Sequence, residues 1–94
     1  MNKEQLNKCF DEASDLHVRL VGVVIDMGLP KNEVIINHRD NFAEKMAYYN
    51  LAYDKALEHK HAEGVRIVAF AYGDTFREIE TKLGIYLASG TKLN

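Results

Sequence analysis

Residues 18–25, Val-Arg-Leu-Val-Gly-Val-Val-Ile, decide the fold because they fit two different secondary structures. As the second half of a helix, they continue an apolar spacing of three and four that begins at Leu6 and ends at Met27. As a strand, they are a run of β-branched residues around a single glycine. The same choice arises at residues 65–72, Val-Arg-Ile-Val-Ala-Phe-Ala-Tyr. The secondary structure of these two stretches decides whether the fold is all-helical or contains a sheet.

We prefer the helical interpretation because the three/four spacing runs unbroken from Leu6 to Met27 and again from Val65 to Tyr86. It predicts an all-α fold, a small three-helix bundle. The alternative treats three short runs as strands and predicts an α+β sandwich with the element order α-β-β-α-β-α. These runs are residues 18–25, 34–36 and 65–72.

Local signals mark the ends of the first two predicted helices. Asn2 is a suitable N-cap for the first, and Gly28 followed by Pro30 is typical of a helix end. Asn41 is the predicted cap of the second helix. The boundaries of the predicted helices are thus set largely by residues outside the apolar pattern.

Composition limits the class of protein. With 94 residues, 47% of them hydrophobic, the chain is predicted to form one domain over residues 1–94. Twelve basic and 14 acidic residues argue against general adhesion to nucleic acid or to anionic membranes. No apolar run reaches the length of a membrane span, and the single cysteine, Cys9, excludes an internal disulfide. We therefore expect a cytoplasmic protein.

On the helical interpretation, the first and third helices carry a second apolar face, which includes Val21, Ile25, Ile67 and Phe70. Three short helices cannot cover two faces each. We therefore predict a homo-oligomer that buries this surface. An alternative function uses the same faces for a protein partner, as an interaction or inhibitor module.

The second helix is predicted to span residues 41 to 61, with three stripes of side chains at 100° per residue. The core stripe is Phe42, Met46, Tyr49, Tyr53 and Leu57. The donor-rich stripe is His38, Asn41, Lys45, Tyr48, Lys55 and His59. The acidic stripe is Asp40, Glu44, Asp54 and Glu58. Because like charges lie at i,i+4, the charges are predicted to face a partner outside the helix.

The donor-rich stripe suggests a site for a small anionic ligand of nucleotide type. Cationic and amide donors neutralise phosphate, and an aromatic ring can stack on a base. The predicted ligand-binding residues are Arg39, Asn41, Lys45, Tyr48 and Lys55. The protein is expected to be non-catalytic, with no cofactor and no metal site.

An enzymatic alternative depends on acidic pairs in all three segments. Such clusters, including Asp54 with Glu58 and Asp74 with Glu78, are what a Mg-dependent all-α nucleotide pyrophosphatase would need. The sequence Glu58-x-x-His61 has the spacing of a helical di-iron ligand pair, but no second copy follows it. The enzyme therefore ranks below the binding protein.

In size, acidity and the aromatic and cationic character of the second predicted helix, the chain resembles the small helical accessory proteins of phages, including those that sequester nucleotide signals. The resemblance is one of overall character. It implies a non-catalytic ligand-binding protein, and no site residue is carried over from it.

Overall fold

The computed structural model describes residues 1–87, which form three helices and a three-stranded antiparallel sheet. In chain order the elements are α1 (Lys3–Asp15), β1 (Leu20–Asp26), β2 (Glu33–His38), α2 (Phe42–Ala52), β3 (Arg66–Gly73) and α3 (Phe76–Leu87). A short 3₁₀ turn, Arg39–Asn41, joins β2 to α2. The predicted all-α three-helix bundle is therefore wrong. The fold is α+β, with the element order α-β-β-α-β-α of the alternative.

The helical pattern misled because β1 is the central strand and is covered on both faces. The sheet order is β2-β1-β3, and all residues from Leu20 to Ile25 are buried. A strand buried on both sides is apolar at nearly every position. Such a run also satisfies a spacing of three and four, so periodicity alone cannot distinguish it from a buried helix.

The helix predicted to continue to Met27 ends at Asp15. Its start is as predicted, since the Asn2 side chain accepts a hydrogen bond from the Gln5 N–H at 2.9 Å. At the other end, His17 adopts a left-handed conformation with φ 58°, and the chain turns into β1. His17 is therefore a turn residue outside the helix.

Two apolar clusters lie on opposite faces of the sheet. Helices α1 and α2 cover one face, and their cluster includes Leu6, Phe10, Val21, Val23, Ile25, Phe42, Tyr49, Leu57 and Ile67. Helix α3 covers the other face, and its cluster is Leu20, Val24, Ala69, Ile79 and Leu83. Alternate residues of β1 thus enter different clusters, as the period of a strand requires.

The apolar surface on which the predicted homo-oligomer depended is internal. Val21, Ile25 and Ile67 are buried in the cluster beneath α1 and α2, and Phe70 packs against it. The chain covers these residues with its own helices. Self-association therefore needs a different surface. Within the described residues no helix is both long and apolar enough to cross a bilayer.

Cys9 is expected to react slowly with alkylating reagents while the protein is folded. Its side chain is 9% exposed, and burial raises the pKa of the thiol to about 11. The thiolate is the reactive species, so its depletion and its burial both slow the reaction. Iodoacetamide labelling followed by mass spectrometry should be at least about tenfold slower in the folded protein than in urea at the same pH. Equal rates would contradict the packing assigned to Cys9.

Candidate ligand-binding cleft

Helix α2 ends at Ala52, and residues 53–65 form a loop that leads to β3. Tyr53 has extended backbone angles, φ −116° and ψ 148°, and its ring is buried. The prediction of one helix from 41 to 61 is therefore wrong. The core residues Tyr53 and Leu57 enter the core from this loop instead, and Lys55 and His59 do not share a helix face with Lys45.

The loop is held by the Asp54 carboxylate. Its Oδ1 accepts hydrogen bonds from the Ala56 N–H at 2.9 Å and from the Glu58 N–H at 3.0 Å. Between them, Leu57 adopts a left-handed conformation with φ 65° while its side chain is 0% exposed. Burial of this side chain offsets the cost of an unusual backbone conformation. Asp54, predicted to lie on the acidic stripe of a helix, thus stabilises the loop through hydrogen bonds to its backbone.

Backbone hydrogen bonds fasten the far side of the loop to its neighbours. The His59 N–H donates to the Val65 carbonyl at 2.8 Å, and the Lys60 N–H donates to the Ala52 carbonyl at 2.9 Å. This pairing brings the His59 ring edge-on to Tyr53, with 5.0 Å between the ring centroids. His59 is thereby positioned beside α2 although it lies outside that helix.

A cleft of about 410 Å³ lies between α2, the loop and the sheet. Its volume is within the range of about 300 to 1,000 Å³ typical of small-molecule sites. The lining residues are Ile25, Met27, Ile35, Lys45, Tyr48, Tyr49, Tyr53, His59, Ala62 and Val65. The cleft therefore combines aliphatic, aromatic and donor groups from four parts of the chain.

Four aromatic rings form a continuous row along this cleft. The centroid of the Tyr48 ring lies 5.4 Å from that of Tyr49, which lies 6.1 Å from that of Tyr53, and Tyr53 contacts His59. Tyr49 and Tyr53 are buried, whereas Tyr48 is 50% exposed. Tyr48 is therefore the ring with a face available for a flat ligand.

Burial keeps the two buried hydroxyls of the row protonated. The Tyr49 hydroxyl donates to the Asn37 Oδ1 at 3.4 Å, and burial raises the pKa of Tyr49 to about 12. Burial also raises the pKa of Tyr53. The His59 Nδ1 accepts a hydrogen bond from the His61 N–H at 3.0 Å, which assigns the proton of a neutral ring to Nε2. His59 thus keeps one N–H for a ligand.

The charge of the cleft opposes that of the chain as a whole. The net charge is −2, yet within residues 1–87 the ten lining residues include one cation, Lys45, and no carboxylate. Four other surface depressions each contain an acidic residue, namely Glu4, Glu80, Glu12 and Asp40. A concave site lined by one sign of charge attracts the opposite charge. Three of the other depressions hold two cations beside their carboxylate and so have the same net charge of +1, but this cleft is the one of the five whose cation has no carboxylate beside it.

The structure divides the five predicted site residues among several places. Lys45 and Tyr48 line the cleft together. Arg39 lines a separate depression, and its Nη1 donates to the His17 carbonyl at 2.9 Å. Lys55 lines a third depression beside the start of α1, and Asn41 lies exposed before α2 with no side-chain capping bond. Two of the five are thus brought together.

The prediction omitted Tyr49, Tyr53 and His59, which also line the cleft. Tyr49 and Tyr53 belong to the predicted core stripe, and His59 belongs to the donor-rich stripe of a predicted helix that ends at Ala52 in the structure. The sequence signal that indicates these residues is the recurrence of aromatic side chains between residues 48 and 59.

The acidic pairs considered for catalysis have structural partners. The Asp74 Oδ1 accepts a hydrogen bond from the Arg19 N–H at 3.1 Å, and the Glu78 Oε1 accepts one from the Asp74 N–H at 2.9 Å. Across the described part of the chain, no three His, Cys, Asp or Glu side chains are grouped to hold a metal ion. Asp74 and Glu78 therefore secure the turn between β3 and α3.

Comparison with protein-family models, with curated proteins and with solved structures gives no match. The cleft therefore has to be interpreted from its own residues. Its chemistry consists of an exposed ring, tyrosine hydroxyls, an imidazole N–H and one ammonium group.

Proposed function

We propose that the protein is a non-catalytic binding protein that takes up a small planar anion of nucleotide type in this cleft. One observation carries the proposal: Lys45 is the only formal charge among the described lining residues, and it lies in the same cleft as the exposed ring of Tyr48. A cation and an aromatic face together suit a ligand that has a flat ring and a phosphate.

Each part of the ligand has a matching group in the cleft. The ring of a base would stack on Tyr48, while the Lys45 ammonium and the His59 Nε2–H would donate to the phosphate. Aliphatic side chains such as Ile35 and Val65 supply the apolar floor. The arrangement uses donors that the cleft already holds, and binding breaks no bond of the ligand.

Thermal-shift and calorimetric titrations with AMP and GMP test the proposal. We expect either nucleotide to raise the Tm, and adenosine or inorganic phosphate alone to raise it less, because each lacks half of the recognised chemistry. Lys45→Glu should weaken nucleotide binding at least about tenfold, since a hydrogen bond to a charged group contributes about 1.5 kcal/mol or more.

Matched variants distinguish the cleft from general electrostatics. Lys55→Glu makes the same charge change outside the cleft and should leave the affinity within about twofold. Tyr48→Ala should weaken binding, whereas Tyr86→Ala, at an exposed tyrosine of α3, should not. Binding of neither nucleotide, or equal binding by wild type and Lys45→Glu, would reject the proposal.

We also propose that the protein acts in a reducing cytoplasm. The sequence contains one cysteine, Cys9, which can form no internal disulfide, and a chain without disulfides is typical of that compartment.

A further inference from the structure

Strand β2 forms one edge of the sheet, and in residues 1–87 no strand pairs with its outer side. The Arg39 N–H donates to the Arg19 carbonyl at 2.8 Å, which continues the ladder between β2 and β1. Antiparallel ladders alternate, so the odd-numbered residues of β2 direct their backbone groups to β1. The backbone groups of Val34, Ile36 and His38 are therefore directed outward.

The opposite edge of the sheet is covered by the chain itself. Beside β3, the Ile67 N–H donates to the Leu57 carbonyl at 2.9 Å, and Glu58 forms a bridge with Arg66. Farther along, the Lys82 ammonium donates to the Tyr72 carbonyl. Natural sheets use such loops and lysines to block pairing with other chains. On the outer side of β2, the described residues show cover only before the strand begins, where the Asn32 N–H donates to the Leu87 carbonyl at 3.2 Å and the Asn32 amide donates to the Tyr86 carbonyl at 2.9 Å. The outward groups of Val34, Ile36 and His38 have no such cover among residues 1–87.

We propose that β2 pairs antiparallel with β2 of a second copy of this chain, giving a dimer with a continuous six-stranded sheet. The two-fold axis is perpendicular to the sheet and passes between Ile36 and Ile36 of the partner subunit. The outward N–H and C=O groups of Val34, Ile36 and His38 then bond to His38, Ile36 and Val34 of the partner, respectively.

Charge favours this register over the one with Ile35 at the axis. With Ile36 at the axis, Glu33 lies opposite Arg39 of the partner subunit, and symmetry forms this pair of opposite charges twice. With Ile35 at the axis, Lys31 would lie opposite Arg39 of the partner, which juxtaposes like charges. A two-fold axis perpendicular to the sheet places opposed residues on the same face. Ile35 and Ile36 are on opposite faces, so a register that opposes Ile35 to Ile36 of the partner subunit is excluded.

Apolar surface beside β2 adds to the proposed interface. A groove of about 210 Å³ lies between β2 and α3, lined mainly by aliphatic side chains that include Val34, Ile36 and Leu83. Phe76, also in its lining, is 61% exposed. The two-fold axis places the Val34 and Ile36 side chains of both copies on this same face of the sheet. The partner strand therefore extends the apolar surface that the groove leaves open.

The oligomeric state of the full chain, measured by sedimentation velocity without added nucleotide, tests this proposal independently of ligand binding. Wild type should sediment as a dimer that dissociates on dilution. Glu33→Lys should raise the dimer dissociation constant at least about tenfold, because it opposes two cations across the interface at both ends. Arg39→Glu should do the same with two carboxylates.

The double variant Glu33→Lys with Arg39→Glu restores opposite charges and should recover most of the wild-type dimer affinity. Ile36→Pro removes an outward N–H while leaving the ladder to β1 complete, so it should give a folded monomer. Circular dichroism and the urea midpoint of each variant verify that it is folded. Variants with Arg39→Glu also lose the hydrogen bond from Arg39 to the His17 carbonyl, and the urea midpoint measures the cost of that loss to the monomer. A wild-type monomer at the highest soluble concentration, a dimer unaffected by Glu33→Lys, or a double variant no better than the single ones would overturn the proposal.

Discussion

Gly22→Val is expected to lower the free energy of unfolding by about 3 kcal/mol, enough to remove a large part of the stability of a small domain. Gly22 lies in the middle of β1 and faces α3. A Cβ atom at this position would lie 2.6 Å from the Ile79 Cγ2 and 3.2 Å from the Leu83 Cδ1. Either α3 moves away from the sheet or its buried side chains leave their preferred rotamers. Urea unfolding followed by circular dichroism measures the loss.

Gly84→Ala provides the control for the loss of a glycine. Gly84 lies in α3, where an added Cβ would meet no atom within 4 Å. Alanine is the better helix former, so this variant should gain about 0.5 to 1 kcal/mol. A lower free energy of unfolding for Gly22→Val together with a higher one for Gly84→Ala would support the close contact between α3 and β1. A stable Gly22→Val protein would show that α3 does not pack on the sheet as described.

Raising the pH from 10 to 12 is expected to remove on the order of 2 to 3 kcal/mol of stability through Tyr49. Burial raises the pKa of Tyr49 to about 12 from the ordinary value of 10.0. In this interval the unfolded phenol releases its proton and the folded one retains it, so alkali favours unfolding. The contribution is complete below pH 10 and is lost as the pH rises through the folded pKa.

Tyr49→Phe isolates this effect. The variant lacks the ionising group, so its urea stability should fall less steeply over the same interval than that of wild type. Near neutral pH it should be less stable than wild type, because the Asn37 Oδ1 loses the hydrogen bond from the Tyr49 hydroxyl. Titration of Cys9, whose pKa is also raised by burial, is common to both proteins and cancels in the comparison. Parallel stability profiles would contradict the burial of Tyr49.

The sequence correctly grouped those predicted site residues that are neighbours on one short helix. Lys45 and Tyr48 are three residues apart, so any helix through them places them on one face, and the cleft contains both. Arg39 and Lys55 are not grouped with them. The Arg39 guanidinium is directed to the His17 carbonyl, and the grouping of Lys55 required a helix that continues past Ala52. The helix ends at Ala52 because Tyr53 and Leu57 enter the core from the loop that follows. This packing depends on residues distant in sequence and leaves no local signal.

Local sequence established the N-cap at Asn2, because a cap depends on one residue and its immediate neighbours. Gly28 does adopt a left-handed conformation, with φ 83°, but in the turn after β1, so its prediction as the end of the first helix is wrong. Local sequence also identified residues 18–25 and 65–72 as the two long apolar runs of the chain. Tertiary packing decided that both runs contribute strands and that residues 53–65 bring His59 to Tyr48's side of α2. The physical reason is that β1 gains its hydrogen bonds and its cover only from β2, β3 and the helices on both faces. Those partners are distant in sequence, and the residues of an apolar run do not indicate which of them will cover it.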